Sequence, residues 1–462
     1  MIMEIDKNIF RAYDIRGIYG KNLTEGVMQK IGMAVGTMMI RRKMGDRIVL
    51  GRDTRASSES LLDSFIVGIT SMGIDVMNVG ATSFGVAMFS GWSAKAGVTS
   101  FVTASHKPPE WNGIKFYDND NVGFFEKDNL EIGRLCLEED FEKPAAKRGQ
   151  VTKKSMDAEY VDHIKDKFSI TRKLKVVIDC GNGCTSLVVP GLLRSFGCLE
   201  VVPLFCEIDP NFSGRGSDIE DGNLTQLKEV VLAKKADLGI ALDGDGDRVG
   251  FVDEKGNILS TEATSVILGG DIIKKGDSVI ANVETSMMFE EAVESLGGKV
   301  IHIPVGHTFM MRAVLDNKAV YGMEASKHIV IPKYFPFDDA TVAALKVLEF
   351  LSGKDKPLSH FAAKVKSYPR ERVRFECTDE SKFKIIERLQ KEFSQKYPLV
   401  NKLDGIRVDF EDGWILARAS NTGPIIRLTI EARTPERLAE LKRDFSEILD
   451  AEIKREVGIC RQ

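Results

Sequence analysis

The sequence lacks a long apolar run and any large excess of charge of one sign. No stretch of about 18 consecutive apolar residues occurs, so a membrane-spanning helix is not expected. The first residues include early acids and no apolar signal segment, and we therefore expect a cytoplasmic protein that does not bind membranes. The net charge of −4 over 462 residues argues against nucleic acid as the main partner.

The cysteines also lack the pairing of a disulfide framework or a metal site. The seven cysteines are odd in number and scattered, which suits a reducing compartment. Cys180 and Cys184 stand close together, but no second pair completes a site, so we interpret the cysteines as small buried residues. With 43% apolar and 29% charged residues, the chain is predicted to be globular, with about three domains by length.

A strand–helix–strand pattern occurs three times along the chain. Apolar runs at 47–55, 175–183 and 278–286 end in polar turns, and each is followed by a helical segment and a second strand. A third strand then follows in each case. This order predicts parallel strands with right-handed crossovers, and therefore α/β domains whose ligand-binding loops lie at the carboxyl ends of strands.

The pattern changes after about residue 366. Alternating strands around a Glu-Asp-Gly hairpin signal, with two helices, predict an antiparallel α+β domain. We predict an α/β fold in which three similar mixed α/β/α domains and this smaller C-terminal domain surround a central cleft. The predicted domains are 1–150, 151–256, 257–365 and 366–462.

Each third strand of the repeats leads into a loop of different chemistry. The first loop offers a serine and a lysine, the second three aspartates, and the third a glutamate, a serine and a histidine. Complementary loops predict one shared cleft, where small-molecule sites usually lie. The residues are Ser105 and Lys115; Asp243, Asp245 and Asp247; and Glu324, Ser326 and His328.

The aspartate loop predicts a site for a hard divalent ion such as Mg²⁺. Alternate side chains of an extended loop share one side, and three crowded carboxylates repel one another unless a cation offsets their charge. An EF-hand is disfavoured because Arg248 stands where that loop needs glycine and the flanks have the pattern of strands. An aspartyl-phosphate phosphatase with Asp243 as nucleophile, or a solvated acidic turn, stays open.

The serine loop, residues 101–118, does not match a serine hydrolase. Side chains of neighbouring residues in an extended segment point apart, so Ser105 and His106 are not expected to face each other. The G-x-S-x-G motif is missing as well. A surface turn stays open for this segment, because its Pro-Pro and Asn-Gly pairs are common turn signals.

The segment 418–427 combines two arginines with short hydroxyl side chains and a glycine. Guanidiniums, hydroxyls and free backbone N–H groups suit a phosphate dianion, although a capped hairpin turn would have a similar sequence. The residues concerned are Arg418, Ser420, Asn421, Thr422 and Arg427.

Taken together, these motifs resemble the α-D-phosphohexomutase superfamily, and most closely its phosphomannomutase/phosphoglucomutase branch. FRAYDIRG, TASHKPPEWNGIKFY, DGDGDR, GMEASKH and RASNTGP occur in the family's order over nearly the whole chain. The resemblance implies an intramolecular phosphotransferase of the isomerase class that interconverts hexose 1-phosphate and hexose 6-phosphate of mannose or glucose. It also implies a phosphoserine at Ser105, a bisphosphorylated intermediate and a hexose 1,6-bisphosphate activator.

The resemblance further implies roles for individual residues. Mg²⁺ would be bound by Ser105 and the three aspartates, with His106, Lys115 and Arg248 around the transferred phosphate. Arg16 and His328 are the candidates for moving the hydroxyl proton. The implied substrate-binding residues are Tyr13, Glu324, Ser326, Arg418, Ser420, Asn421, Thr422 and Arg427.

Three positions depart from the family pattern, and the first two, where substrate hydroxyls would lie, leave the sugar open. Lys327 stands in place of a glycine of the sugar loop, Pro304 in place of a frequent lysine, and Gly423 in place of a frequent glutamate. The RASNT motif favours the mannose/glucose branch over the glucosamine branch. A phosphoglucosamine mutase therefore stays an alternative, and so does a degenerate binding protein, although every core catalytic position is filled.

Overall fold

The computed structural model describes residues 5–11, 14–420 and 424–459, which form four β-sheets. The first sheet has six strands in the order β1-β5-β4-β2-β3-β6. Its strands are β1 (Ile15–Ile18), β2 (Arg47–Arg52), β3 (Asp75–Ala81), β4 (Val98–Val102), β5 (Trp111–Asp118) and β6 (Val151–Lys153). The helices around it are α1 (Glu25–Arg42), α2 (Ser58–Ser71), α3 (Phe84–Ala94) and α4 (Glu126–Glu138).

The second sheet has five strands in the order β11-β10-β9-β7-β8. It contains β7 (Leu174–Asp179), β8 (Leu199–Leu204), β9 (Leu238–Leu242), β10 (Val249–Asp253) and β11 (Ile258–Leu259), with helices α5 (Asp157–Lys165), α6 (Val189–Arg194) and α7 (Thr225–Lys234). Strands β6 and β11 lie just beyond the predicted domain boundaries at 150 and 256, yet each pairs with the preceding sheet. The boundaries themselves stay a prediction.

The third sheet has four strands in the order β13-β12-β14-β15. Its strands are β12 (Ser278–Asn282), β13 (Lys299–Ile303), β14 (Tyr321–Met323) and β15 (Ile329–Val330). The helices are α8 (Thr261–Ile272), α9 (Met287–Ser295), α10 (His307–Asp316), α11 (Ala340–Ser352) and α12 (Leu358–Ala362).

The C-terminal sheet is antiparallel throughout, in the order β16-β20-β19-β18-β17. Its elements are β16 (Arg370–Glu376), α13 (Asp379–Lys396), β17 (Val400–Asn401), β18 (Ile406–Phe410), β19 (Gly413–Ala419), β20 (Ile425–Ala432) and α14 (Pro435–Ile459). The hairpin predicted at Glu-Asp-Gly joins β18 to β19, with Phe410 opposite Gly413. The predicted fold class is confirmed.

The first three sheets repeat one topology. In each, the first strand of the repeat pairs in parallel with the second and third strands, as β2 does with β3 and β4. The third strand then turns back into an antiparallel neighbour, as β4 does into β5. The three loops singled out in the sequence all lie in this turn, at the carboxyl end of a buried parallel strand.

The apolar core explains how the domains are held together. One cluster of buried side chains runs from Phe101 in β4 through Leu242 in β9 to Leu345 in α11, so the first three domains share a core. The C-terminal domain has a separate core and meets the third domain where Trp414 and Leu416 pack on Val283. Among the described residues, no helix has the length and apolar character needed to cross a bilayer.

Candidate active site

The three loops between parallel and antiparallel strands meet, as the sequence predicted. The Ser105 hydroxyl donates to Asp243 Oδ2 at 2.7 Å, which joins the first loop to the second. Arg248 Nε donates to His328 Nε2 at 3.1 Å, which joins the second loop to the third. Gly244 permits the close approach of the first two loops, since a Cβ there would lie 2.6 Å from the Ser105 carbonyl oxygen.

Ser105 has a left-handed backbone and a buried side chain. Its φ is 50°, its relative exposure is 1%, and its amide donates to Thr103 Oγ1 at 2.8 Å. Because the segment is not extended here, the Ser105 hydroxyl lies 3.3 Å from His106 Nδ1. The expectation that these two side chains point apart was therefore wrong. A non-glycine residue in this region of the backbone is uncommon and is often found at functional sites.

Arg55 holds the serine loop in this conformation. Its guanidinium is fully buried and donates to the carbonyl oxygens of Ser105, Lys107 and Pro108, each at 2.7 Å. Asp53 accepts from Arg55 Nε at 3.0 Å and fixes the arginine in turn. Sequence reasoning missed Arg55, although it stands in the polar turn after the first strand of the first repeat.

The three aspartates cluster as predicted and enclose a lysine. One oxygen each of Asp243, Asp245 and Asp247 lies within 4.8 Å of the others, and all three residues are buried. Lys115 Nζ lies 3.0 Å from Asp245 Oδ2 and 2.5 Å from Asp247 Oδ2. Burial raises the pKa of Asp243, and repulsion from the other two carboxylates raises it further. Burial opposes the charge of Asp247 too, but Lys115 lowers the pKa of Asp247 below its usual value.

This cluster fits a metal ion. One oxygen each of Asp245 and Asp247 is buried without a hydrogen-bond partner among the described residues, and buried acceptors of this kind are rare unless an ion or water satisfies them. The Ser105 hydroxyl adds a further oxygen beside Asp243. Carboxylate and hydroxyl oxygens are the donors that hard divalent cations prefer. The strands β9 and β10 flank the loop, so it is not an EF-hand.

The third loop presents a buried carboxylate and a buried imidazole. Glu324 Oε1 accepts from the Gly306 amide at 2.7 Å, and the Ser326 hydroxyl donates to Glu324 Oε2 at 3.2 Å. His328 Nδ1 lies 3.0 Å from Asp338, while its Nε2 faces Arg248. These contacts select the tautomer with the proton on Nδ1, and burial lowers the pKa of His328.

His307 is a second imidazole at this site that sequence reasoning missed. It stacks on His328 with 5.6 Å between ring centroids, and its Nε2 lies 3.3 Å from the Tyr117 hydroxyl. Burial lowers the pKa of His307 to about 4, so the ring is neutral at pH 7. The sequence offered one signal for His307, because it directly follows Gly306 in the turn after the carboxyl end of β13.

Arg16 comes from the edge of the first sheet. Strand β1 pairs with β5 so that Arg16 lies opposite Gly113, two residues before Lys115. The side chain is buried, forms an ion pair with Asp14, and keeps its Nε without a hydrogen-bond partner among the described residues. Its charge helps to lower the pKa of His106, after burial and Arg248. The predicted Tyr13 lies outside the described residues.

The segment 418–427 joins β19 to β20 at the tip of the C-terminal sheet. Arg418 lies directly opposite Arg427, and Arg418 pairs with Glu284 of the third domain at 3.1 Å. The Ser420 amide donates to the Ile425 carbonyl at 2.9 Å. The predicted Asn421 and Thr422 lie outside the described residues.

A cavity of about 920 Å³ opens between the four domains. It is lined by the three loops' outer residues and by the first strand of the C-terminal sheet. Its lining includes His106, Arg248, Ser326, Lys327, Glu262 and Arg372. A cavity of this size accommodates a phosphorylated hexose.

Comparison with known proteins gives the class of the protein. Four family models match in order: the phosphoglucomutase/phosphomannomutase alpha/beta/alpha domains I, II and III and the C-terminal domain. They cover residues 7–143, 158–256, 262–368 and 373–448. The chain belongs to the phosphoglucomutase/phosphomannomutase family, as its motifs predicted.

Individual relatives match this chain over nearly its full length. A phosphomannomutase/phosphoglucomutase of Pseudomonas aeruginosa is 34% identical over 454 residues, which are 96% of each chain. A probable phosphoglucosamine mutase of Methanopyrus kandleri is 34% identical over 447 residues, 95% of this chain and 97% of the relative. A crystal structure of a family member from Burkholderia thailandensis superposes with a TM-score of 0.88 at 28% identity, covering 97% and 98% of the two chains.

Proposed function

We propose that this protein is a phosphohexomutase that interconverts hexose 1-phosphate and hexose 6-phosphate, of mannose or glucose, through a phosphoserine at Ser105. The observation that carries the proposal is the contact between the Ser105 hydroxyl and Asp243, at 2.7 Å, in a loop clamped by Arg55. This contact joins a rigidly held hydroxyl to a carboxylate cluster suited to a cation. The names of the full-length relatives support the same reaction.

The cation site belongs to this proposal. Asp243, Asp245 and Asp247, with the Ser105 oxygen, would hold a divalent ion, and we propose Mg²⁺ because all four donors are hard oxygens. When bound, such an ion supplies positive charge that offsets the charge on the transferred phosphoryl group.

The transfer step needs a phosphoryl donor, an acceptor hydroxyl and a proton acceptor. The bond between phosphorus and Ser105 Oγ breaks, a new bond forms between phosphorus and the sugar hydroxyl oxygen, and the hydroxyl proton leaves. Lys115, His106 and Arg248 would surround the transferred phosphate: His106 Nδ1 lies 3.3 Å from the Ser105 hydroxyl, Lys115 contacts Asp245 and Asp247, and Arg248 follows the aspartate loop. The sugar bisphosphate then turns over in the cleft and returns its other phosphate to the serine, so that phosphate is conserved.

His328 and Arg16 are the candidate proton carriers. In the structure the lone pair of His328 Nε2 accepts from Arg248 Nε, so this bond must open before Nε2 can take a proton. Asp338 holds the opposite side of the ring and fixes its tautomer. Arg16 stands on β1, which pairs with the strand that carries Lys115.

The two ends of the substrate would contact different domains. Glu324 and Ser326 would bind sugar hydroxyls. The non-reacting phosphate would be bound by Arg418 and Arg427, with Ser420, Asn421 and Thr422 as further predicted contacts, while Tyr13 stays a predicted substrate-binding residue. We propose the domains 1–150, 151–256, 257–365 and 366–462 as the units that meet around it.

The test is a product assay with three substrates. The protein is incubated with mannose 1-phosphate, glucose 1-phosphate and glucosamine 1-phosphate, each with a divalent cation and a hexose 1,6-bisphosphate activator, and 6-phosphates are measured. Peptide mapping should place a phosphate on Ser105. Release of free phosphate without phosphoserine would indicate a phosphatase, and binding without turnover a binding protein. Preference for the amino sugar would assign the protein to the function named for the Methanopyrus relative.

A further inference from the structure

Strand β16 carries arginines at three alternate positions, 370, 372 and 374. Alternate residues of a strand share one face. The sheet register places Arg374 directly opposite Arg427 on β20, and Arg427 directly opposite Arg418 on β19. Directly opposite residues in an antiparallel pair have Cβ atoms about 4.5–5.5 Å apart. The three arginine side chains therefore start from neighbouring positions on one face across three strands, and we call Arg374, Arg427 and Arg418 the arginine row.

The arginine row is electrostatically unfavourable by itself. Like charges directly opposite each other destabilise a sheet. Arg374 has no ion pair within the part of the chain that the structure describes, and Arg427 keeps a buried Nε without a hydrogen-bond partner there. Burial, and after it the charge of Arg418, lower the pKa of Arg427. An anion placed on the row would remove this repulsion.

The carboxylates near the row are too few to neutralise it. Glu284 lies 3.1 Å from Arg418 and 3.4 Å from Arg372, and Asp404 lies 3.6 Å from Arg418. Counting Arg372 with the row, four guanidiniums face these two carboxylates and the exposed Glu376, the next alternate residue of β16, so among the described residues one positive charge is in excess. Displacement of Glu284 raises the excess to two, which a phosphate monoester with its charge of about −1.5 to −2 at neutral pH matches.

The position of β16 connects the row to the candidate active site. Arg370 and Arg372 line the cavity of about 920 Å³ together with His106 and Arg248. Arg374 stands one step further along the same face, beside Arg427. An anion on the row would therefore sit at the C-terminal wall of the cleft.

We propose that Arg374, together with Arg372, is a phosphate-binding residue, so that the non-reacting phosphate is bound by β16 as well as by Arg418 and Arg427. Glu284 is the resident counter-ion of this site, and the incoming phosphate displaces it from Arg418 and Arg372. The identity of the ligand as a phosphosugar rests on the proposed function, whereas the binding of a phosphate dianion rests on the charges described above.

Two variants should shift phosphate affinity in opposite directions. R374Q removes one guanidinium, and because that side chain is exposed we expect inorganic phosphate to bind about two- to five-fold more weakly. E284Q removes the competing negative charge with little change of shape, and we expect binding to be tighter by a similar factor. R443Q serves as the matched control, because Arg443 is an exposed arginine of α14 whose ion pair is with the neighbouring Asp444.

The measurement is isothermal titration calorimetry of the full chain with inorganic phosphate, without divalent cation and at fixed ionic strength. Thermal melting confirms that each variant is folded, and R374K, which keeps the charge, should retain most of the affinity even if R374Q proves unstable. The role of Arg374 is refuted if R374Q binds phosphate as tightly as R443Q does. It is also refuted if R374K binds phosphate as weakly as expected for a variant that lacks the charge. Weaker binding by E284Q overturns the counter-ion role.

Kinetics separate this inference from the proposed function. For a working mutase, R374Q should raise KM for the hexose phosphate and leave kcat nearly unchanged. If R374Q turned over the hexose phosphate with an unchanged KM, the role of Arg374 would be refuted and the mutase assignment would stand. Absence of turnover in every variant, with the predicted shifts in phosphate affinity, would refute the assignment and leave the phosphate site intact.

Discussion

Replacement of Lys115 by methionine tests the acidic site most directly. Lys115 is 3% exposed at its side chain and contacts Asp245 and Asp247, which are almost fully buried. Methionine keeps most of the volume but removes the charge, so two carboxylates lose their buried cation. Removing one partner of a buried ion pair costs about 3–5 kcal/mol of unfolding free energy. At about 2–4 °C per kcal/mol, the unfolding midpoint in chelator should fall by roughly 10 °C.

The structure also predicts how a divalent cation changes this loss. In the unsubstituted protein an incoming ion must share the carboxylates with Lys115, whereas in K115M the ion alone can offset them. Ligand binding at 100 times its Kd stabilises a protein by about 2.7 kcal/mol. We therefore expect Mg²⁺ to recover much of the stability that K115M loses, and to raise its midpoint more than that of the unsubstituted protein.

The assay is thermal unfolding with and without Mg²⁺ for K115M, the unsubstituted protein and K391M. Lys391 is 73% exposed at its side chain and pairs with Glu387 on one helix face, so its loss should change stability by less than about 0.5 kcal/mol. If K115M melted like K391M in chelator, the buried ion pair would not have the strength argued here. If Mg²⁺ raised all three midpoints equally, the cation would bind elsewhere.

Three further predictions concern the loops. S105A should abolish both phosphate incorporation and mutase turnover while circular dichroism stays unchanged, and turnover that persisted would refute the phosphoserine. R55K should lower kcat by about ten-fold or more and change KM little, since the lost carbonyl contacts hold the serine loop rather than the substrate. R418A should lower kcat/KM for glucose and mannose phosphates by similar factors, about ten- to a hundred-fold, while E324Q should change their ratio. If R418A changed the ratio of kcat/KM for the two sugars and E324Q did not, the assignment of the two loops would be wrong.

Much of the fold and the meeting of the loops could be predicted from the sequence. Buried parallel strands have continuous apolar β-branched runs, so the three repeats stood out, and their third strands predicted where the loops lie. The grouping of Asp243, Asp245 and Asp247 followed from their alternate spacing and is confirmed in the structure. Asp243 contacts Ser105, which lies 138 positions away in sequence, and only the shared topology of the repeats predicted that the two loops meet.

The residues that support the site could not be predicted in the same way. Arg55 and His307 act through contacts with residues that are distant in sequence, and an isolated arginine or histidine carries no spacing signal. The backbone of Ser105 was also out of reach, because a positive φ at a serine depends on the tertiary contacts that enforce it. Those contacts come from the Arg55 guanidinium and from the approach of Gly244.

Lys327 shows why the sugar loop resists prediction. Its φ of 76° is one that glycine adopts freely and other residues adopt at a cost of roughly 1–2 kcal/mol. Against that cost, its ammonium donates to the Ile219 carbonyl at 2.5 Å and to Asp221 at 3.1 Å, and so ties the sugar loop to the second domain. Because Asp221 is largely exposed, that ion pair contributes at most about 1 kcal/mol, and a charged hydrogen bond to a carbonyl adds about 1.5–3 kcal/mol. Together these contacts are at least as large as the cost, so they offset the strained backbone of Lys327, and only the folded arrangement reveals them.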